Sequence, residues 1–479
     1  MSSPTGTGTM MTVREAADAV GGAVAATLAG RRIARVNTDS RTVQSGDLFV
    51  ALKGENFDGH DFVAQALGAG AAAALVANDQ RARYAAGAGC IAIPDPRTAL
   101  GQLARMWRAR FPLPLIGVVG SNGKTTVTQM IASILREHAG AAAFHTIGNF
   151  NNDIGLPLTL LRLRGSHRIG VVELGMNHRG EIAYLADIAR PTIALVNNAQ
   201  REHQEFMRSV ADVADENASI FDALPRDGIA IVNADDALAD VCIARAAGRK
   251  VVTFGIEKPA SIRGRVGDDR GGTGAAFGSH LRLVLPEGEA DVALRIAGSH
   301  NALNAVAAAA AASAAGVPLA AIVRGLQAFV PVAGRLVKSM LQSGAILLDD
   351  TYNANPDSVR AAIEFLAGIG GHRVLVLGKM GEVGVEGPAF HREVGDYARQ
   401  RKIDALFTLG PEAAEAARGF GAPAEAFDDL AALVERTRAA AQAGTTLLVK
   451  GSRSARMERV VRALLSPDAK VDATAEETH

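Results

Sequence analysis

Cysteine is nearly absent: Cys90 and Cys242 are the only two in 479 residues. They lie far apart and form no CxxC pair. That excludes a disulfide scaffold and a structural zinc site, and fits a reducing cytosol. Aromatic residues are also scarce, at 4%, so stacking platforms for nucleic-acid bases are few. An excess of charge of either sign is missing too. Lysine plus arginine total 50 and so do aspartate plus glutamate, and a formal net charge of +0 gives no reason to expect nucleic acid as a partner. No run is long and apolar enough to suggest a membrane span. The longest stretch without Lys, Arg, Asp or Glu is Ile296 to Val323. It is rich in alanine, contains His300, Asn301, Asn304 and Ser313, and is broken by Gly316 and Pro318, which reads as a soluble helix followed by a turn. The opening MSSPTGTGTM has neither a basic nor an apolar segment of a targeting signal. It reads as a disordered tail, and translation could equally begin at Met10 or Met11.

What is present is apolar surface for several cores. Hydrophobic residues make up 48% of the chain, and about 150 residues per domain implies about three domains. Only nine of the 50 basic residues are lysine, so positions that keep lysine stand out.

The composition divides the chain into three zones. Residues 1–112 combine a polar turn leading into a strand, TDSRTVQSGDLFVAL (38–52), with alanine-rich stretches such as AAAALVA (71–77). A helix from an N-cap at Thr98 to Phe111 closes the zone, and the two prolines of FPLPL (111–115) mark a linker. Residues 113–330 carry short apolar runs at 115–120, 168–175, 192–198, 228–233 and 250–255, separated by helical patterns. Buried strands alternating with helices mean a parallel α/β sheet. A Gly-rich stretch with period-2 segments, 257–297, reads as a small antiparallel insert, and an alanine-rich helix follows at 301–315. Residues 331–479 repeat the alternation. Strands at 345–350, 373–378, 405–410 and 446–451 alternate with helices near 357–367, 388–401, 427–441 and 453–465, a second doubly wound unit. The tail after Ser466 is polar and reads as loose.

The strongest motif is GVVGSNGKTT, Gly117 to Thr126. It follows an apolar strand and precedes a helical pattern, the setting of a P-loop. Glycines let backbone N–H groups close around phosphate oxygens, and a helix N-terminus adds partial positive charge. Lys124 can reach the β- and γ-phosphates, and the Thr125 hydroxyl can ligate magnesium. The strict pattern wants glycine at 118, where this chain has valine. Glu173 falls at the carboxyl end of a parallel strand, where such sheets place their ligands, and His203 follows the next strand. Taken alone, such a glutamate is often only a helix cap and such a histidine structural; beside a P-loop both become candidate metal ligands. LGKMGEVG (377–384) is not a dinucleotide fingerprint.

The remaining dense patches are GNFNNDIGLPLTLL, ELGMNHRGEI, GSHNALN, VAGRL, DDTYNANPDS and KGSRSARM. Clusters of Asn and Asp are normally turns and caps. Together with TDSR…GDLFVALKGENFDGHDF, however, these patches resemble the Mur ligase family over about residues 12–465. Among its activities they look specific to the one that joins D-alanyl-D-alanine to UDP-N-acetylmuramoyl-tripeptide. The resemblance implies an N-terminal domain for the UDP-substrate, a central P-loop parallel-sheet ATPase domain and a C-terminal Rossmann-like domain. It implies that Gly120, Ser121, Asn122, Gly123, Lys124, Thr125 and Thr126 hold ATP, with Asn301 and Asn304 on the adenine, and with Arg335, Asp350 and Tyr352 near the ribose and phosphates. It further implies Mg2+ on Thr125, Glu173 and His203, and substrate contacts at Ser40, Arg41, Asn151 and Asn152. Such a ligase activates a carboxylate as an acyl phosphate, in the cytoplasm, with no membrane span.

One departure from the family is explicit. Its members often carry a carbamylated lysine four residues before an aromatic; here Asn217 stands four residues before Phe221, and no lysine lies between Lys124 and Lys250. Asparagine forms no carbamate but offers an amide oxygen to a hard cation. Two other readings compete: a different amide ligase of the same superfamily, such as the diaminopimelate-adding or folylpolyglutamate type, and a P-loop ATPase with no ligase activity.

Overall fold

A computed structural model describes residues 8–84, 89–202, 205–267 and 278–466. The expected loose tail after Ser466 lies outside these residues. The fold is α/β with parallel sheets, as the alternating apolar runs predict. Contacts divide the chain into two compact units: Met1–Gly117 with Ala141–Met176 and Glu181–Thr192, and Val118–Gly140 with Asn177–Gly180 and Ile193–His479.

The first unit holds a four-stranded parallel sheet in the order Arg35–Asn37, Asp47–Val50, Ala73–Ala77, Cys90–Ile93. Phe49, Val63, Ala66, Ala74 and Val76 form the core on one side. Cys90 is buried there as well, and burial pushes its thiol pKa up, so it packs as a small apolar group. The helix expected from Thr98 spans Pro96–Arg108 instead, and its N-cap is Asp95. A carboxylate accepts from both the Arg97 and Thr98 N–H groups, and Pro96 is pre-set for the first turn, so the start moves upstream. The FPLPL segment is not left loose. Arg108 is buried, and its guanidinium donates to the carbonyls of Phe111, Leu113, Ala189 and Arg190. The expected N-terminal tail is shorter than its sequence implies. Met10 is buried and its N–H donates to the Ile33 carbonyl, and Met11–Thr12 pairs with Arg32–Ile33.

The second unit contains two sheets. In one, Ile193–Val196, Ile229–Asn233 and Lys250–Gly255 run parallel in that order. The expected antiparallel insert extends the same sheet. Ile262–Val266 pairs parallel with 254–255 and antiparallel with Ser279–Leu285, which pairs antiparallel with Gly288–Leu294; residues 268–277 lie outside the described ones. Helices Lys124–Ala139, Ser299–Ala314 and Leu319–Ala328 pack together. The other sheet has the order Val337–Met340, Ile346–Asp350, Thr445–Lys450, His372–Leu377, Ala405–Leu409, Ala424–Phe427, with only the first strand antiparallel. Apolar clusters cover both its faces. The last helix begins at Glu458 and not 453, because Arg456 adopts a left-handed φ of 51° that interrupts the helix. Among the described residues no helix is long and apolar enough to cross a membrane.

Helices Gly387–Gln400 and Pro411–Phe420 meet at Gly395, where an added methyl would collide with the Ala416 carbonyl oxygen. Backbone cannot yield as a flexible side chain does. Gly395→Ala is therefore expected to destabilise the chain by about 2 kcal/mol or more. Thermal unfolding of the variant beside the parent checks this; an unchanged transition would contradict the packing described.

Candidate functional site

The strand Leu115–Val119 delivers the chain into Gly120–Gly123, and the helix Lys124–Ala139 begins at once. Val118, the departure from the strict motif, is a fully buried strand residue, so its side chain packs in the sheet and never enters the turn. Gly120 and Gly123 have φ of 136° and 80°, which L side chains rarely adopt. Space gives a second reason. A Cβ on Gly123 would lie 2.5 Å from Asn304 Oδ1 and 2.8 Å from Asn197 Nδ2.

Side-chain amides hold this loop. Asn197 Nδ2 donates to the Asn122 carbonyl at 2.8 Å and to Asn304 Oδ1 at 3.0 Å. Asn304 donates in turn to Asn301 Oδ1 at 3.3 Å, and Asn301 to the Ala297 carbonyl at 2.8 Å. The Asn122 N–H donates to Asn198 Oδ1, and the Asn122 side chain to Gln200 Oε1 at 2.6 Å. Asn355 Nδ2 donates to Asn122 Oδ1 at 3.0 Å. Asn355 also caps the helix Pro356–Ala367, so this member of the DDTYNANPDS patch is both a cap and a neighbour of the loop. Asn304 thus stands beside Gly123, and Asn301 joins the same chain of amides one step further from the loop. Asn197, Asn198 and Gln200 were not expected there. The doubled asparagine after an apolar strand was the available signal.

Lys124 folds over its own loop. Its ammonium donates to the Gly120 carbonyl at 2.5 Å and the Ser121 carbonyl at 3.3 Å, and lies 3.4 Å from Glu202 Oε2. Glu202 is 5% exposed and was not singled out by the sequence. His203 lies outside the described residues. Thr125 and Thr126 are buried at the start of the helix, and Thr125 Oγ1 accepts from Arg335 Nη2 at 3.2 Å. The Arg335 guanidinium lies 3.9 Å from the centre of the Tyr352 ring, a cation–π contact. Arg335, Tyr352 and Thr125 therefore come together.

Asp350 ends the strand Ile346–Asp350, and its carboxylate accepts from Lys450 Nζ at 2.6 Å. Lys450 is 3% exposed and also donates to the Asn353 carbonyl. Both groups sit at the carboxyl ends of adjacent parallel strands, the usual ligand position in such sheets. His300 feels both charges; burial holds its imidazole below the ordinary value, while Asp350 opposes that shift.

The other candidates belong to the first unit. Glu173 is buried at the end of the strand Ile169–Glu173, and its carboxylate accepts from Asn151 Nδ2 at 2.7 Å. The Glu173 N–H donates to Thr146 Oγ1. Asn151 is held close because Gly175, with no side chain, packs against its amide. Asn152 Oδ1 accepts from the N–H groups of Ile154 and Gly155, which shapes the turn into the helix Gly155–Leu160. Ser40 and Arg41 occupy a short 3-10 turn; Arg41 is exposed, and its guanidinium pairs with Asp39 at 2.9 Å.

Asn217 is 1% exposed on the helix Val210–Ala218, and its Nδ2 has no hydrogen-bond partner among the described residues. Neighbouring Glu216 is directed elsewhere, accepting from the Gly180 N–H at 2.8 Å. Among the described residues no group of three or more His, Cys, Asp or Glu is placed to hold a metal ion.

A glycine loop closed by a lysine, with an amide-lined helix start beside it, is a phosphate-binding arrangement, and the chain's relatives bear on what is bound. Three sequence models match: the Mur ligase family catalytic domain at residues 32–108, the Mur ligase middle domain at 118–312, and the Mur ligase glutamate ligase domain at 334–453. The UDP-N-acetylmuramoyl-tripeptide–D-alanyl-D-alanine ligase of Escherichia coli (strain K12) is 42% identical over 90% of this chain and 93% of its own. The Haemophilus influenzae protein of the same name is 38% identical over 90% and 94%. A crystal structure of MurF from Acinetobacter baumannii superposes with a TM-score of 0.87 at 33% identity, covering 95% of this chain and 98% of the other. MurF ligase from Thermotoga maritima, in complex with ADP, superposes with a TM-score of 0.78 at 26% identity, over 91% and 98%. Identity of this level along nine-tenths of both sequences leaves one conclusion: the chain belongs to the Mur ligase family.

Proposed function

We propose that this chain is an ATP-dependent ligase that joins D-alanyl-D-alanine to UDP-N-acetylmuramoyl-tripeptide, yielding the pentapeptide precursor of peptidoglycan in the cytoplasm. The observation that carries the reading is Lys124, held over a glycine loop whose φ angles and amide neighbours admit no larger residue. The named relatives supply the substrates. In this reading residues 1–112 bind the uridine nucleotide, with Ser40 and Arg41 facing it. Residues 113–330 bind ATP, and 331–479 complete the nucleotide site through Arg335, Asp350 and Tyr352.

A carboxylate and an amine do not condense unaided in water. The carboxylate oxygen of the tripeptide attacks the γ-phosphorus of ATP and the bond to the bridging β–γ oxygen breaks, giving an acyl phosphate and ADP. The amine of D-alanyl-D-alanine then attacks the acyl carbon, inorganic phosphate leaves with the carbon–oxygen electron pair, and the amine gives up a proton. Lys124 moves from its carbonyl partners to the transferring phosphoryl group and stabilises charge that develops there. Asn301 and Asn304 fix the loop and face the base; Arg335, stacked on Tyr352, brings a cation to the phosphate side of the helix start. Magnesium, when bound, would neutralise phosphate charge. The Thr125 hydroxyl and the Glu173 carboxylate are hard oxygen donors of the kind it takes, and His203 is the further candidate ligand. Asn151, through its hydrogen bond to Glu173, would aim that carboxylate, and with Asn152 face the muramoyl-peptide side.

Phosphate release from ATP and UDP-N-acetylmuramoyl-tripeptide, measured with and without D-alanyl-D-alanine, tests the reading. Turnover should depend on both substrates; equal release without the dipeptide would instead favour a bare ATPase. Lys124→Ala should remain folded and lose ligation by about a hundredfold or more, because a contact to transferring charge is commonly worth a few kcal/mol. A folded variant with near-normal turnover would refute the site. Asn217 cannot form a carbamate, so activity should be unmoved when bicarbonate is stripped from the assay. Strict bicarbonate dependence would show that a lysine elsewhere supplies the group.

A further inference from the structure

Two adjacent side chains after the strand Ile193–Val196 reach in different directions. Glu202 is buried against the P-loop lysine, with its Oε2 3.4 Å from Lys124 Nζ. Arg201 grips the C-terminal segment. Its backbone N–H donates to Asp357 Oδ2 at 2.8 Å, and its guanidinium donates to Asp357 Oδ1 at 3.0 and 2.6 Å. The same guanidinium donates to both oxygens of Glu393, at 2.8 and 3.0 Å, and Arg360 also donates to Glu393. Gln200 closes the set on the loop side, its N–H on Ser121 Oγ at 2.8 Å and its Oε1 accepting from Asn122. Residues 200–202 are thus fastened to the loop Ser121–Lys124 at one end and to the helices Pro356–Ala367 and Gly387–Gln400 at the other.

A lysine facing a buried carboxylate has part of its charge already answered. Phosphate oxygens arriving in the loop must compete with that carboxylate, and they meet its negative charge directly. One peptide bond separates Glu202 from a bidentate arginine clamp, so Glu202 can move away from Lys124 only as far as Arg201 allows. We propose that Glu202 is a positioning residue for Lys124 that competes with nucleotide phosphates for its ammonium, and that the Arg201 clamp on Asp357 and Glu393 sets how strongly it competes. The strength of phosphate binding is thereby tied to the seating of the C-terminal helices. This rests on the reading of Gly120–Thr126 as a nucleotide phosphate site.

Calorimetric titration of ADP into the full chain tests it, with magnesium and with a chelator. Glu202→Gln should bind ADP roughly tenfold more tightly in both conditions. Asp357→Asn, which slackens the clamp, should shift affinity in the same direction by less. The double variant should bind no more tightly than Glu202→Gln alone, because both changes release the same lysine. Should Glu202→Gln not fold, Glu202→Asp, which withdraws the carboxylate by one methylene, should give an intermediate gain. Unchanged or weaker binding by the Glu202 variant overturns the proposal, and so does a loss confined to magnesium, which would make Glu202 a metal ligand. Strictly additive gains overturn the coupling to Arg201. If the parent chain binds no ADP, or Lys124→Ala binds it as the parent does, the phosphate-site reading has failed instead.

Discussion

Everything about this site depends on how closely Asn197 and Asn304 approach the backbone of the glycine loop. Their side-chain amides crowd Gly123, the Cβ and backbone of Asn197 crowd Gly120, and Asn197 fixes the loop through directional hydrogen bonds to the Asn122 carbonyl and to Asn304. The loop itself is short and has few side chains of its own to define its shape. Buried amides are demanding neighbours, since each carries donors and an acceptor that must be met. Donors and acceptors are joined in a chain from Asn301 through Asn304 and Asn197 to Asn122, which leaves the buried Asn197 Oδ1 unpaired among the described residues. The same chain reaches Asn355, so the cap of a C-terminal helix belongs to the network that shapes the loop.

Charge is laid out differently from amide. Four carboxylates near the glycine loop and the strand end at Asp350 are matched by cations: Glu202 by Lys124, Asp350 by Lys450, and Asp357 and Glu393 by Arg201. Breaking one buried partner from such a pair costs far more than the pair contributes. Two carboxylates hold the Arg201 guanidinium protonated more firmly than its ordinary value. Glu393 correspondingly sits below the usual carboxylate range, chiefly through its hydrogen bond from Arg201. Arg201 and Glu393 therefore stay charged throughout the neutral range.

Much of this was legible in the sequence, for a physical reason. Strands covered on both faces are largely apolar, so Leu115–Val119 and the apolar centres of Ile229–Asn233 and Thr445–Lys450 announce themselves as short hydrophobic runs. Phosphate loops are dictated by backbone geometry, which glycine spells out. Caps were read less well: Thr98 looked like a helix start, but Asp95 accepts from the Thr98 N–H and moves the start three residues upstream. Edge strands such as Ala424–Phe427 are short and only half covered, and their pattern is faint. Arg201 and Glu202 were invisible as a pair of clamps. Their partners lie 156 and 78 residues away, and only tertiary folding brings them together. Asn152 shows the converse, an amide in a suggestive patch that spends its oxygen on a turn.

The helix Ser299–Ala314 is buried on nearly every side and clad almost wholly in methyl groups. Alanine has no rotamers to freeze, so ordering this helix loses only backbone freedom. Its narrow girth also lets the sheet and the helix Lys124–Ala139 pack closely against it. Asn301 and Asn304 sit on its first two turns, so they are held by the same packing. The reach of two amides toward the loop is therefore set by the thinness of the helix behind them, and their aim does not depend on any motion of their own.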